Sequence, residues 1–254
     1  MVSSSQIDFS KVDFSSPLDI SLPLAAGPGH ASAWYIDPME IEPVRAGRFI
    51  GSVAEGGSTN FRNIRFNPHG HGTHTECVGH IAQEVHSINQ CLKSFFFSAT
   101  LISIQPKKVS EDSELSKTGD AVITLEQLQS ALGKPSTKAL VVRTLPNTSE
   151  KKSRNYSHTN PAYFTPEAIT WLVQNSIDHL LVDLPSIDRE EDDGKLLGHH
   201  AFWEYPNNTQ FHRTITEFVF VGDEIPDGEY LLNLMIASFE NDASPSKPVL
   251  YPLR

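Results

Sequence analysis

Cysteine is nearly absent: Cys77 and Cys91 are the only two in 254 residues. Two thiols give no disulfide framework, so a packed core has to hold the fold, and a reducing cytoplasm is the expected setting. Positive charge is also scarce. Against 31 acidic residues stand 20 lysines and arginines, for a formal net charge of -11, with no Lys/Arg run. This balance speaks against nucleic acid and anionic membrane surfaces as partners. Long apolar runs are missing. Stretches such as Phe95-Phe96-Phe97 and Leu231 to Ile236 fall far short of the roughly 20 residues a spanning helix needs. The opening MVSSSQIDFSKVDFSS has no apolar segment of the kind found in a secretory leader. A P-loop, a G-x-S-x-G elbow and an HExxH motif are all lacking. What is present is ordinary globular material, 39% hydrophobic and 20% charged, long enough to bury a sizeable core.

The organisation reads as one domain. Residues 1–17 are polar and Ser-rich and read as a loose arm, with a single domain over 18–254. Ala25 to Gly57 is rich in Gly, Pro and Ala, which favours loops. Phe95 to Ile104 is aromatic and β-branched and reads as a strand. Thr124 is placed as an N-cap with Gln127 at the capping-box position and Gly133 at the helix end. Ala139 to Thr144 reads as a buried strand. Thr165-Pro166-Glu167 opens the clearest helix: a capping hydroxyl, a first-turn proline, then a carboxylate that complements the dipole. His179 to Leu184, Thr214 to Val221, Tyr230 to Ser238 and Val249 to Leu253 complete the strands. The expectation is a strand-rich α/β chain with few helices.

Chemistry concentrates in NPHGHGTHTECVGHI, Asn67 to Ile81, which holds four of the 11 histidines. If Thr73 to Glu76 is extended, alternation puts His74 and Glu76 on one side, a natural pair of ligands for a divalent cation. His80 follows after a short turn. Cys77 should point the other way and pack as a small apolar residue. A second cluster is Gly198-His199-His200-Ala201. Adjacent histidines diverge on helix or strand, so one of the two at most faces a given site. Glu217 falls in the apolar row Ile215, Val219, Val221, where a carboxylate needs a partner or a metal.

Together these segments resemble the cyclase-like metal-dependent hydrolases, the family of bacterial kynurenine formamidase. Its signature reads His-x-Gly-Thr-His-x-Asp-x-Pro-x-His, and Gly72-Thr73-His74-x-Glu76-x-x-x-His80 looks like it. Asp19-Ile-Ser-Leu-Pro-Leu, Leu140-Val-Val-Arg-Thr, Phe164-Thr-Pro-Glu-Ala, Asp183-Leu-Pro-Ser-Ile-Asp188, Leu196-Leu-Gly-His-His-Ala and Thr214-Ile-Thr-Glu217 resemble later family segments in the same order. The resemblance implies a swivelling β/β/α fold and one or two divalent metals per chain, zinc or manganese. It also implies homodimers or homotetramers. Carried over, His74, Glu76, His199 and Glu217 match metal ligands, and His80 matches the general acid/base. The family's first ligand histidine falls on Gly70, so His69 or His71 beside it is expected to take its place. Trp34 or Trp203 is the expected aromatic wall for a small planar substrate. The implied activity is hydrolysis of a small-molecule amide, with N-formylkynurenine as reference. A different lactone or cyclic substrate, or a metal- or ligand-binding protein without catalysis, is the alternative.

Overall fold

The computed structural model describes residues 7–254. Its centre is an eight-stranded sheet. In chain order the strands are β1 (Leu18–Asp19), β2 (His74–Glu76), β3 (Phe96–Ile104), β4 (Ala139–Thr144), β5 (His179–Val182), β6 (Thr214–Glu217), β7 (Gly228–Ile236) and β8 (Ala243–Pro252). Across the sheet they run β1-β8-β7-β3-β4-β5-β6-β2, and β2 also pairs with β8. That last pairing closes every strand except β1 into a barrel. β3 to β6 run parallel, while β2 is antiparallel to both of its neighbours. The helices are α1 (Ile88–Cys91), α2 (Leu125–Leu132), α3 (Pro166–Gln174) and α4 (Leu197–Trp203). This is the expected strand-rich α/β architecture with few helices.

Alternation along the parallel strands builds two cores. Leu140, Val142, Leu180, Val182 and Ile215 face outward, under Leu128, Ile169, Leu172 and Phe202 of the helices. Ala139, Val141, Leu181, Leu101, Leu232 and Leu250 fill the barrel interior. Local chemistry fixes the two longer helices as read. Thr124 and Gln127 form a full capping box on α2, and the Thr165 side chain accepts from the Ala168 amide at the start of α3.

Three readings are corrected. Of the arm read over 1–17, residues 1–6 lie outside the described residues, and 7–17 are not loose: Val12 is buried and bridges to Leu253, and Phe14 packs on Tyr251. The stretch 25–57 is not all loop, because Glu40–Pro43 pairs with Arg62–Arg65, and Arg45–Ala46 pairs with Phe49–Ile50. The strand from Thr214 stops at Glu217. Phe218 adopts φ 56°, and this reverses the alternation beyond it. Ile215 therefore sits under the helices while Val219 and Val221 enter the barrel. The apolar row around Glu217 does not exist as read, and its burial has another cause.

His179, at the start of β5, is a purely structural histidine. Its ring packs 3.8 Å from the Phe97 ring, and Nδ1 meets Thr214 Oγ1 at 2.9 Å. Burial pushes its imidazole down to about 4. The unfolded chain takes up this proton near pH 6.5, so the folded form gains stability as pH rises from about 4 to about 6.5 and keeps it above. Between pH 7.5 and pH 5 the loss assigned to His179 is about 2 kcal/mol. Urea unfolding of chelator-treated wild type and His179→Gln at both pH values checks this. Equal pH dependence in the two proteins contradicts it.

Candidate metal centre

The three residues of β2 bring the ligand candidates together. His74 lies opposite Glu217 on β6, and Glu76 lies opposite Ile215. His74, Glu76 and Glu217 therefore share one face. On the other face Thr75 Oγ1 meets Thr216 Oγ1 at 2.8 Å, and beyond the strand Cys77 packs in the barrel core as expected. α4 crosses the outer side and delivers His199. His199 Nε2 lies 3.2 Å from Glu76 Oε1 and 3.9 Å from Glu217 Oε1, and His74 Nε2 lies 3.3 Å from Glu217 Oε2. A short 3₁₀ turn, Val78–His80, returns His80 to the rim, with Nδ1 3.9 Å from Glu76 Oε2.

His69 reaches the cluster, with Nδ1 3.0 Å from Glu76 Oε2. His71 does not. Its Nδ1 accepts from the Asn67 amide and its Nε2 donates to the Asp37 carbonyl, both at 2.9 Å, so this ring braces the loop and is corrected out of the ligand set. The space at Gly70 is tight for a side chain. A Cβ there would fall 2.2 Å from Ile36 Cδ1 and 3.1 Å from the Ala33 carbonyl, whose own amide donates to Gly70 O.

The protonation geometry suits a cation. Nδ1 of His199 donates to Asp188 Oδ2 at 2.5 Å, and Nδ1 of His74 faces the Gly72 carbonyl at 3.1 Å. In its neutral form each ring then presents an Nε2 lone pair to carboxylate oxygens, acceptor against acceptor, which either a proton or a metal cation relieves. Among the described residues, His74 Nε2, both Glu76 carboxylate oxygens and Glu217 Oε1 are buried without a hydrogen-bond partner. Stranding several such atoms together costs a few kcal/mol each unless a positive charge joins them. Imidazole and carboxylate oxygen are the donor set of zinc and manganese sites, so these residues fit a divalent cation.

The electrostatics point the same way. Burial and the Glu76 charge raise the Glu217 carboxyl. Burial works against the charge on Glu76 as well, but His80 and His199 outweigh it and hold that carboxyl well below its usual range. Burial likewise opposes charging of His199, and Asp188 and Glu76 overcome it. The cluster thus draws positive charge into a buried place.

Beside it opens a cavity of about 360 Å³ that reaches His69, His80, His199 and Glu217. Trp34 and Leu196 supply its apolar wall, and Asn67 and Ser186 its polar points. Trp34 is thus on the cavity wall. Trp203 is not: it is fully buried, donates Nε1–H to the Arg213 carbonyl at 2.9 Å, and backs His199 from the core. His200 turns its Nδ1 to the Tyr205 carbonyl, which leaves His199 as the inward histidine.

Sequence reasoning missed Asp188 as a site residue, and it missed Asp242 altogether. Asp242 precedes β8; its Oδ2 lies 2.7 Å from His69 Nε2 and 3.5 Å from His80 Nδ1. Asp188 is one turn of chain beyond β5, and its spacing from His199 carried no local signal. Asp242 reaches the site only because β8 pairs with β2, a contact far apart in the chain.

The comparisons fit this picture. Isatin hydrolase A from Labrenzia aggregata, solved with benzyl benzoate, superposes with a TM-score of 0.66 at 14% identity, covering 94% of both chains. An isatin hydrolase bound to the product analogue thioisatinate gives a TM-score of 0.65 at 13% identity, over 96% of this chain and 94% of the other. A potential metal-dependent hydrolase with cyclase activity gives 0.62 at 14% identity, over 93% of this chain and 98% of the other. At such identities the likeness is one of fold. No curated protein matches the sequence. The family described as "Putative cyclase" matches residues 12–189, well over half of the sequence, and the chain belongs to this cyclase family.

Proposed function

We propose that the chain is a metal-dependent hydrolase of a small, neutral aromatic amide. One observation carries this reading: unpartnered imidazole and carboxylate atoms converge at the floor of a ligand-sized cavity. His69, His74, Glu76, His199 and Glu217 would hold the cation, zinc or manganese, one or two per chain. A cation bound there supplies Lewis acidity for attack on an amide carbonyl. Asp188 holds His199 in the tautomer that offers Nε2. His80 is the imidazole at the rim, with its side chain 29% exposed. With Nδ1 toward Asp242, its Nε2 takes a proton from water and returns it to the leaving nitrogen. Trp34 and Leu196 sandwich a flat ring and exclude water from it.

The lining also bears on substrate choice. Among the described residues no lysine or arginine lines the cavity, so the amino-acid end of N-formylkynurenine meets no counter-charge. A neutral cyclic amide such as isatin fits better. The test strips the protein with chelator, reloads it with Zn²⁺ or Mn²⁺, and follows hydrolysis of isatin and N-formylkynurenine. The expected result is activity that vanishes and returns with metal and favours isatin. Full metal loading with no turnover of either compound sinks the enzyme reading and leaves a metal-binding protein. The subunit count, a dimer or tetramer in this reading, is read from light scattering.

A further inference from the structure

Trp34 does not sit on a regular element; its side chain packs against the cluster of Leu22, Ala31, Ala33, Tyr156 and Phe218, and its backbone is held by the loop beyond it. Trp34 and Tyr35 both adopt left-handed backbone, φ 67° and 60°, where aromatic residues are rare. Their side chains take different paths. Trp34 lines the cavity, and Tyr35 donates its hydroxyl to Glu190 Oε1 at 2.8 Å. The same carboxylate accepts from the His158 amide at 2.6 Å and, through Oε2, from the Asn160 amide at 2.7 Å. His158 and Asn160 are themselves left-handed, φ 63° and 46°, and this turns their amides toward Glu190. The Tyr35 ring packs 4.4 Å from the His158 ring, and the Tyr35 amide donates to Ser157 Oγ at 2.9 Å. Three donors from left-handed residues, the Tyr35 hydroxyl and the His158 and Asn160 amides, thus converge on one side chain, with Trp34 next in the chain to one of them.

We propose that Glu190 is a positioning residue for substrate selection: it ties the loops at 34–35 and 157–160 together and holds Trp34 over the cavity. The inference rests on the cavity being the substrate site. Glu190 lies two residues beyond Asp188, which holds His199, and four beyond Ser186, which lines the cavity. One segment, 186–190, thereby sets the metal side and the substrate wall together. Glutamine at 190 keeps the size but has one oxygen for three donors, and it turns an NH₂ toward an amide N–H.

The test uses metal-loaded protein carrying 5-fluorotryptophan, with the Trp34 ¹⁹F resonance assigned by its loss in Trp34→Phe. In Glu190→Gln the Trp34 resonance is expected to shift or broaden while those of Trp171 and Trp203 stay in place. KM for isatin should rise about tenfold, the worth of one charge-assisted hydrogen bond, with kcat within about twofold and metal content unchanged. Tyr35→Phe, which removes one donor and no charge, should move both readouts in the same direction by less, about threefold in KM. It carries the test if Glu190→Gln misfolds, which altered Trp171 and Trp203 lines would reveal. A Trp34 resonance unmoved in a folded variant, or one that moves with KM unchanged, overturns the proposal. If no isatin is hydrolysed by the wild type, the hydrolase reading fails while the resonance still decides whether Glu190 holds Trp34.

Discussion

In the metal-loaded protein, His80→Ala is expected to lower kcat by a factor of about 10²–10⁴ and to leave bound metal at the wild-type level. The asymmetry follows from where His80 stands. His74 and His199 are buried at the floor, whereas His80 lies at the rim and comes no nearer to Glu76 than 3.9 Å. It faces the cavity, and its Nδ1 is directed to Asp242 at 3.5 Å. Removing it would delete the proposed proton carrier while the proposed ligands His69, His74, Glu76, His199 and Glu217 remain. KM should change little, because the wall of Trp34 and Leu196 is untouched. Metal analysis and steady-state kinetics on the same preparation check the split. Metal that falls in step with kcat would show that His80 is a ligand.

Glu76→Gln should have the opposite signature: the metal is lost and activity goes with it. Glu76 lies between the other donors, with one oxygen 3.0 Å from His69 Nδ1 and the other 3.2 Å from His199 Nε2. Glutamine fills the same space but removes the charge and places an NH₂ donor against a cation. Losing a partner outside the ligand shell commonly costs about 10–100-fold in metal affinity, so loss of a central ligand should exceed about 100-fold. The rise in melting temperature that metal gives the wild type should vanish in the variant. A variant that still binds metal with wild-type affinity would refute the assignment of Glu76.

Much of the site could be read from spacing alone. Alternation over Thr73 to Glu76 places His74 and Glu76 on one face, and the structure keeps them there. The capping residues of α2 and α3 were legible because their partners lie within three positions. Resemblance singled out His199 from His200, a choice that spacing left open. The failures share a cause, namely geometry made by contacts distant in the chain. The left-handed turn at Phe218 abolishes the apolar row around Glu217, whose burial comes from His74, His199 and the cover of α4. His69 and His71 flank Gly70 symmetrically in the sequence. Only the packing of the 33–37 loop, with Asp37 accepting from His71 and Ile36 pressed against Gly70, separates their roles. Trp203 and Trp34 are both tryptophans near candidate histidines, but one is sealed in the helix layer and the other lines the cavity. Asp242 needed the β2–β8 pairing, which no local pattern announces.

The central claim is that a divalent cation is held by the β2 pair, His74 and Glu76, together with His199, Glu217 and the displaced His69. Anomalous diffraction from crystals grown with Zn²⁺ or Mn²⁺ tests it most directly. The expected map has a peak enclosed by His74, Glu76, His199 and Glu217, with a His69 nitrogen at coordination distance from a bound ion and His71 still on Asp37. A map with no peak in this cluster, or one in which His71 has displaced His69, would contradict it.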